Sequence, residues 1–143
     1  MVMEWNDKVT VKKQHSVSLE NRVGALAELC GVIEAESINL LAICAIDTVE
    51  EAVLRLVAEK GPETKAALER QGFRVIETDV IVVELENKPG ATGRVASLLS
   101  QNGINIDYLY ASAHPRVDKA VAVFRLQQTD KALTVLQSYF KGS

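Results

Sequence analysis

The feature that most constrains this 143-residue chain is an internal repeat. Moving the sequence by 66 positions lays a segment that begins at Leu19 over one that begins at Leu85. Identical residues are found at the pairs Leu19/Leu85, Glu20/Glu86, Asn21/Asn87, Gly24/Gly90, Ala25/Ala91, Ile38/Ile104, Asn39/Asn105 and Ala45/Ala111. Further along, AVLRL at 52–56 aligns with AVAVF at 120–124. Similarity at a fixed period indicates two units of one fold in tandem.

Both repeats predict the same element order, βαββαβ. An alternating strand, at 16–19 and again at 80–85, leads into an Asn- and Gly-containing turn and a helix with apolar residues every three or four positions. Strands at 38–45 and 52–57 with a helix at 63–71 follow in the first repeat, and strands at 104–111 and 120–126 with a helix at 130–138 follow in the second. Right-handed crossovers fold this order into an antiparallel sheet with two helices on one face. The sequence therefore predicts an α+β protein of two tandem ferredoxin-like units.

The last strand of each unit sets the domain boundaries. Residues 15–78 form the predicted first domain, with its fourth strand at 73–77, and residues 79–143 form the second. After the second domain's last helix few residues remain, so its fourth strand is either missing or supplied from elsewhere. Val9, Thr10 and Val11 alternate as a strand does, within an N-terminal extension at 1–14. This extension is the candidate for the missing edge strand.

Charge and hydropathy exclude several classes of partner. Sixteen basic and nineteen acidic residues give a net charge of −3, which leaves no electrostatic footprint for a nucleic acid. The longest apolar run, 40–46, is far too short to span a bilayer. Acidic residues stand near the N-terminus, where a secretory signal has a positive flank. We therefore expect a cytoplasmic protein with no nucleic-acid or membrane partner.

The inventory of reactive residues predicts a binding protein and not an enzyme. Cys30 and Cys44 are the two cysteines, no CxxC occurs, and His15 and His114 are far apart. A metal site or a disulfide is therefore not expected, and both thiols are expected to be buried. No nucleophile–base pattern or glycine-rich phosphate loop appears, so no catalytic residue and no cofactor is assigned.

Two motifs carry a family resemblance. LENKPG at 85–90, followed by a helix and then GINI at 103–106, resembles the ACT domain, a small ligand-binding regulatory module. The resemblance spans roughly residues 9–140 as two copies, and IDYLY at 106–110 is similar to the stand-alone tandem ACT proteins. Val23 replaces the proline and Ser37 the glycine in the first copy, which is thus either the less faithful binder or a structural partner.

The resemblance implies that an amino acid or similar metabolite binds at an interface between two copies of the module. The residues give independent reasons: the turn places backbone N–H groups at a helix N-terminus, which suits a carboxylate, and its glycine allows close approach. The amide oxygens of Asn21 and Asn87 suit an ammonium group, and Asn39 and Asn105 are expected beside the pocket. The candidate ligand-binding residues are Asn21, Arg22, Val23, Gly24, Ala25, Asn39, Asn87, Lys88, Pro89, Gly90, Ala91 and Asn105. The same motif also serves as an ordinary turn, in which Pro89 fixes one dihedral angle.

These observations favour a non-catalytic sensor of a free amino acid that regulates amino-acid metabolism. Because Arg22 and Lys88 are the only charged residues of the loops, an aliphatic or aromatic amino acid is favoured over an acidic or basic one. The alternative is an assembly or regulatory subunit that docks on a metabolic enzyme and has vestigial ligand loops. A homodimer of the sensor is expected, since exposed strand edges invite pairing.

Overall fold

The computed structural model describes residues 8–47 and 51–141. Its strands contain alternating apolar residues, and its helices contain apolar residues every three or four positions. The elements in chain order are β1 (Val9–Glu20), α1 (Ala25–Ala35), β2 (Leu40–Asp47), β3 (Glu51–Ala58), α2 (Gly61–Arg70), β4 (Val75–Glu86), α3 (Ala91–Gln101), β5 (Ile106–Ser112), β6 (Lys119–Leu126) and α4 (Thr129–Lys141). Within the described part of the chain, no helix has the length and apolar character needed to cross a membrane.

The chain divides into two units, and the division falls inside β1 and β4. The first unit is Lys13–Thr78, and the second combines the chain up to Lys12 with the chain from Asp79 onward. The later part of β1 and the start of β4 thus belong to the first unit. The start of β1 and the later part of β4 belong to the second.

In the first unit, four strands form an antiparallel sheet in the order β2-β3-β1-β4. Val17 of β1 stands opposite Leu54 of β3, and both face the core together with Leu29 and Ile33 of α1 and Leu68 of α2. Helices α1 and α2 therefore cover the same face of the sheet. This arrangement confirms the predicted ferredoxin-like fold.

The second unit repeats this architecture with the strand order β5-β6-β4-β1. Its core joins Ile81 and Val83 of β4 to Leu99 of α3, Phe124 of β6 and Leu136 of α4. The strand beside β4 comes from the start of the chain, where the Lys8 carbonyl accepts a hydrogen bond from the Glu84 N–H at 2.7 Å.

Two pairs of short predicted strands are single long strands in the structure. The strands predicted at 73–77 and 80–85 are one strand, Val75–Glu86, and those at 9–11 and 16–19 are one strand, Val9–Glu20. Neither segment contains a glycine or proline that would end a strand, so the pairing continues through the polar residues between them.

We propose that residues 8–12 are the fourth strand of the second unit, in place of a strand after α4. Val9 is 3% exposed and belongs to that unit's core cluster, whereas Val11, two positions along the same strand, is 39% exposed. Val9 and Val11 share a face of the strand, and of the two Val9 is the one that is buried.

Val9→Asp should lower the free energy of unfolding by roughly 3 kcal/mol, because it buries a carboxylate without a partner. Val11→Asp, the matched control on the same strand, should change it by less than about 1 kcal/mol. Urea unfolding of both variants measures the difference. Equal stability of the two variants would contradict the assignment of this strand.

His15 is a buried titratable group within the first unit's part of β1. Its side chain is 0% exposed, and Nε2 lies 3.1 Å from Oε2 of Glu77 on β4, while Nδ1 is buried without a hydrogen-bond partner. Burial lowers the pKa of His15 below its usual value, although the hydrogen bond and charge of Glu77 oppose the shift, and the charge of Lys65 adds to it. The imidazole is thus held in a site that favours its neutral form.

Stability should therefore fall as the pH drops below about 6.5, the ordinary histidine pKa, because the unfolded chain takes up the proton first. The decline ends below the lowered pKa of the folded state, and its slope cannot exceed about 1.4 kcal/mol per pH unit for one proton. Urea unfolding between pH 7.5 and 5.5 measures it. His15→Gln should remove this component, and His114→Gln, at the other histidine, should retain it; the same slope in all three proteins would refute the assignment.

Candidate functional site

The two predicted ligand turns have the same backbone conformation. Gly24 has φ 87° and ψ −6°, and Gly90 has φ 86° and ψ −7°. These values lie in the left-handed region, which glycine adopts without the steric cost of a Cβ. Matching backbone hydrogen bonds close the turns, from Ala25 N to Arg22 O and from Ala91 N to Lys88 O, both at 3.3 Å.

In the second unit the turn leaves helical N–H groups open. The first helical hydrogen bond runs from the Arg94 N–H to the Gly90 carbonyl at 2.9 Å, so the N–H groups of Thr92 and Gly93 have no partner inside α3. A Cβ placed on Gly93 would meet no atom within 4 Å. The start of α3 therefore offers backbone donors beside open space, which suits a carboxylate.

Asn87 makes contacts that the sequence did not predict. Its Nδ2 donates to the carbonyls of His114 at 2.8 Å and Val117 at 2.9 Å, and its N–H donates to the Asp118 carbonyl at 2.7 Å. Asn87 thus fastens the β5–β6 turn to the loop before α3, and Oδ1 is the atom these bonds leave for an ammonium group. The corresponding turn near Asn21 includes residues 48–50, which lie outside the described residues.

Asn39 and Asn105 lie at the far ends of their helices from the glycine turns. Helix α3 has eleven residues and is therefore roughly 16 Å long, and Asn105 follows its C-terminal end. There the Asn105 Nδ2 donates to Asp107 at 3.0 Å, and Asp107 also accepts from Gln127 at 2.6 Å. Asn39 occupies the equivalent place after α1. Within one unit, therefore, neither asparagine is beside its turn, contrary to the expectation from sequence.

The charged side chains of the two turns are paired differently. Arg22 bonds to both Glu20 at 3.2 Å and Glu28 at 2.7 Å, whereas Lys88 pairs with Glu86 at 2.6 Å. Val23 and Pro89, at the turn tips, are exposed. The hydrogen bond and charge of Lys88 hold the pKa of the Glu86 carboxyl below its usual value, and the charges of Lys119 and Lys8 add to this shift. The Glu86 carboxylate therefore lies in a positive field.

A cavity of about 130 Å³ opens beside the second turn. By this measure one water molecule needs about 10–15 Å³, so the space suits a small metabolite. The lining residues come from β4, α3, β6, α4 and the start of the chain, and those with a role below are Lys8, Lys88, Arg94, Val95, Lys119 and Phe140. Of these six residues, Lys88 belongs to the loop motif and the other five lie outside it.

Two of these cavity residues differ in charge from the residues at the aligned positions of the first repeat. Arg94 aligns with Glu28, and Lys119 aligns with Glu51. The sheet registers support the second alignment, since Glu86 stands opposite Lys119 as Glu20 stands opposite Glu51. A comparison of charge between the repeats would have singled out both positions.

The described residues contain no candidate metal site and no disulfide. No group of three or more His, Cys, Asp or Glu side chains in 8–47 and 51–141 is placed to hold a metal ion. Cys30 and Cys44 are free, and both are half-buried, whereas the sequence predicted full burial. Their apolar neighbours in sequence do not enclose them fully because Cys30 lies on a helix flank and Cys44 on an edge strand.

Comparison with solved structures identifies similar folds. The crystal structure of protein BT0572 from Bacteroides thetaiotaomicron is 34% identical, with a TM-score of 0.84, over 93% of this chain and 91% of that one. The regulatory subunit of aspartate kinase from Thermus thermophilus, in its ligand-free form, is 15% identical, with a TM-score of 0.66, over 91% and 95% of the two chains. A structure of aspartokinase alpha and beta subunits is 16% identical, with a TM-score of 0.65, over 94% and 98%.

The family comparison covers nearly the whole chain. No curated protein sequence matches it significantly. The family model described as an ACT domain pair matches residues 9–139, which include both glycine turns and all four helices up to Tyr139. The chain therefore belongs to the ACT domain family, as a pair of ACT domains.

Proposed function

We propose that this ACT domain pair is a non-catalytic regulatory protein that senses a free amino acid, or a similar carboxylate metabolite, in the cytoplasm. The observation that carries the proposal is the second glycine turn, where the start of α3 has open N–H groups and where the neighbouring residues Lys88, Ala91 and Arg94 line a cavity of about 130 Å³. A carboxylate at these donors gains both hydrogen bonds and the favourable end of the helix dipole. Two free, half-buried thiols agree with a reducing compartment.

The second unit is the better candidate for the ligand site. Its Lys88 makes one exposed ion pair, while Arg22 at the equivalent place is held by two carboxylates. Ligand binding at the first turn would compete with Glu20 and Glu28 for the same guanidinium. The first turn then serves as the structural partner that Val23 and Ser37 suggested.

A second copy of the chain completes the site in this proposal. Asn105 lies roughly 16 Å from the turn within its own unit, so a ligand that touches both must take Asn105 from another copy. Strand β5, which follows Asn105, is at the edge of its unit's sheet and has a free side for pairing. A homodimer formed at this edge would make ligand affinity depend on assembly.

The alternative function is that of a regulatory subunit docked on a metabolic enzyme. One of the similar structures is a regulatory subunit of aspartate kinase, and the alignment with this protein covers 95% of that chain. At 15% identity this likeness concerns the fold, and the identity of any enzyme partner is open to experiment. Ligand sensing and docking are compatible if binding shifts the population of docked states.

A thermal-unfolding panel with the twenty amino acids tests the sensing proposal. A ligand that binds only the folded protein adds about 2.7 kcal/mol of stability at 100 times its dissociation constant, a rise of several degrees in Tm. We expect this rise for one amino acid or for a chemically related few. A flat panel together with co-purification of an enzyme would favour the docking alternative.

Gly93→Glu should weaken binding of that amino acid at least tenfold, as titration calorimetry would measure. The new carboxylate is favoured at the helix start, and its negative charge there repels the carboxylate of the ligand. Ala27→Glu, at the aligned position of α1, is the matched control and should bind as the unaltered protein does. Unchanged affinity in Gly93→Glu would show that the ligand does not bind at this turn. Loss of affinity in Ala27→Glu alone would assign the ligand site to the first unit.

Asn87→Ala should lower the free energy of unfolding by about 1 kcal/mol, because it releases the carbonyls of His114 and Val117. Trypsin should then cut faster after Arg116, which lies in the released turn. Lys88→Ala is the control, since an exposed ion pair contributes less than about 1 kcal/mol. Equal cleavage rates in both variants would show that Asn87 does not hold this turn.

A further inference from the structure

The cavity beside the second turn is positively charged although the protein is acidic overall. Four cations, Lys8, Lys88, Arg94 and Lys119, line it together with two carboxylates, Glu84 and Glu86. The lining thus carries a formal charge of +2 in a chain whose net charge is −3. Such a local excess attracts an anion to the site.

Arg94 is the cation best placed to bind a carboxylate. Among the described residues its guanidinium forms no hydrogen bond or ion pair, in contrast to Lys88, which is paired with Glu86. A Cβ built on Gly90 would lie 2.9 Å from Arg94 Nη1, so the guanidinium lies over the glycine turn. A planar guanidinium holds a carboxylate with two parallel hydrogen bonds.

A second group of cations lies around the same cavity. Lys8 is held with its Nζ 6.0 Å from the centre of the Phe140 ring, a cation–π distance, and Lys119 stands opposite Glu86 on the neighbouring strand. Leu85 and Val95, which are 4% and 1% exposed, provide an apolar floor. The lining therefore combines cations from three parts of the chain with an apolar floor, which suits a short molecule that has two anionic groups.

The first repeat shows that this charge is not a property of the fold. It has the same turn geometry, yet Glu28 stands in place of Arg94 and Glu51 in place of Lys119. Arg22, the cation at the position of Lys88, is already bonded to Glu20 and Glu28. The two units thus present opposite charges around one backbone arrangement.

From these observations we propose that the second unit binds a small dicarboxylate, of the dicarboxylic amino acid or dicarboxylic acid class, with Arg94 as the residue that binds one carboxylate and Lys8 and Lys119 at the other. This inference rests on the proposed function in its choice of turn, and it adds the charge of the ligand. It replaces the preference for an aliphatic or aromatic amino acid, which considered the charges of the loops alone.

Titration calorimetry at constant ionic strength tests the proposal with L-glutamate, L-aspartate and succinate against the neutral L-glutamine and L-asparagine. We expect at least one dicarboxylate to bind at least tenfold more tightly than the neutral amides. Arg94→Glu, which copies the first repeat, should weaken that binding at least tenfold. Arg74→Glu, an exposed charge reversal in the first unit, should leave it unchanged. Lys119→Gln is a second cavity variant with a smaller charge change, for use if Arg94→Glu does not fold.

The outcomes separate this inference from the proposed function. If L-glutamine binds as tightly as L-glutamate and Arg94→Glu binds normally, the dicarboxylate site is refuted while amino-acid sensing stands. If succinate binds and responds to Arg94→Glu but no amino acid binds, the cavity assignment stands and amino-acid sensing falls. Equal losses in Arg94→Glu and Arg74→Glu would show a general charge effect and overturn the site, as would the failure of every probe to bind.

Discussion

A positive φ angle at one glycine in each repeat determines where the first helix of the unit begins. At Gly90 this angle turns the chain from β4 into α3 within a few residues, and it leaves the N–H groups of Thr92 and Gly93 without helical partners. The same turn brings Asn87 against the β5–β6 carbonyls and Arg94 over the loop. Any side chain at this position would strain the turn, so the local geometry depends on the absence of a Cβ.

The repeats have kept this backbone and diverged in charge. Their glycine angles agree to within a degree, while aligned side chains change sign at Glu28 and Arg94. Backbone geometry is fixed by sterics and tolerates little variation, whereas an exposed charge at a helix start costs little stability to replace. Two units of one fold therefore acquire different electrostatic fields without altering their cores. This asymmetry suits a division between a ligand-binding unit and a structural one.

Sequence patterns predicted the local features well and the distant ones poorly. The order of elements followed from periodicity, and the glycine turns followed from the repeated Asn-x-x-Gly, because both depend on neighbouring residues. The sequence pattern did not predict that two short strands join into β4, because polar residues such as Asp79 interrupt the apolar alternation between them. The motif did not reveal that the eleven residues of α3 separate Asn105 from the turn within the unit. The lining of the cavity could not be predicted from the motif, as Lys8, Lys119 and Phe140 are remote in sequence and meet only in the fold.

The division inside β1 has a consequence for the order of folding. The Lys8 carbonyl and the Glu84 N–H are 76 residues apart in the chain, so their hydrogen bond closes a long segment into a loop. That segment is the first unit itself, in which β1 and β4 are neighbours. Folding of residues 13–78 draws Lys12 and Asp79 together and removes most of the entropic cost of closing the loop. Pairing of the start of β1 with β4 in the second unit therefore costs less entropy once residues 13–78 have folded.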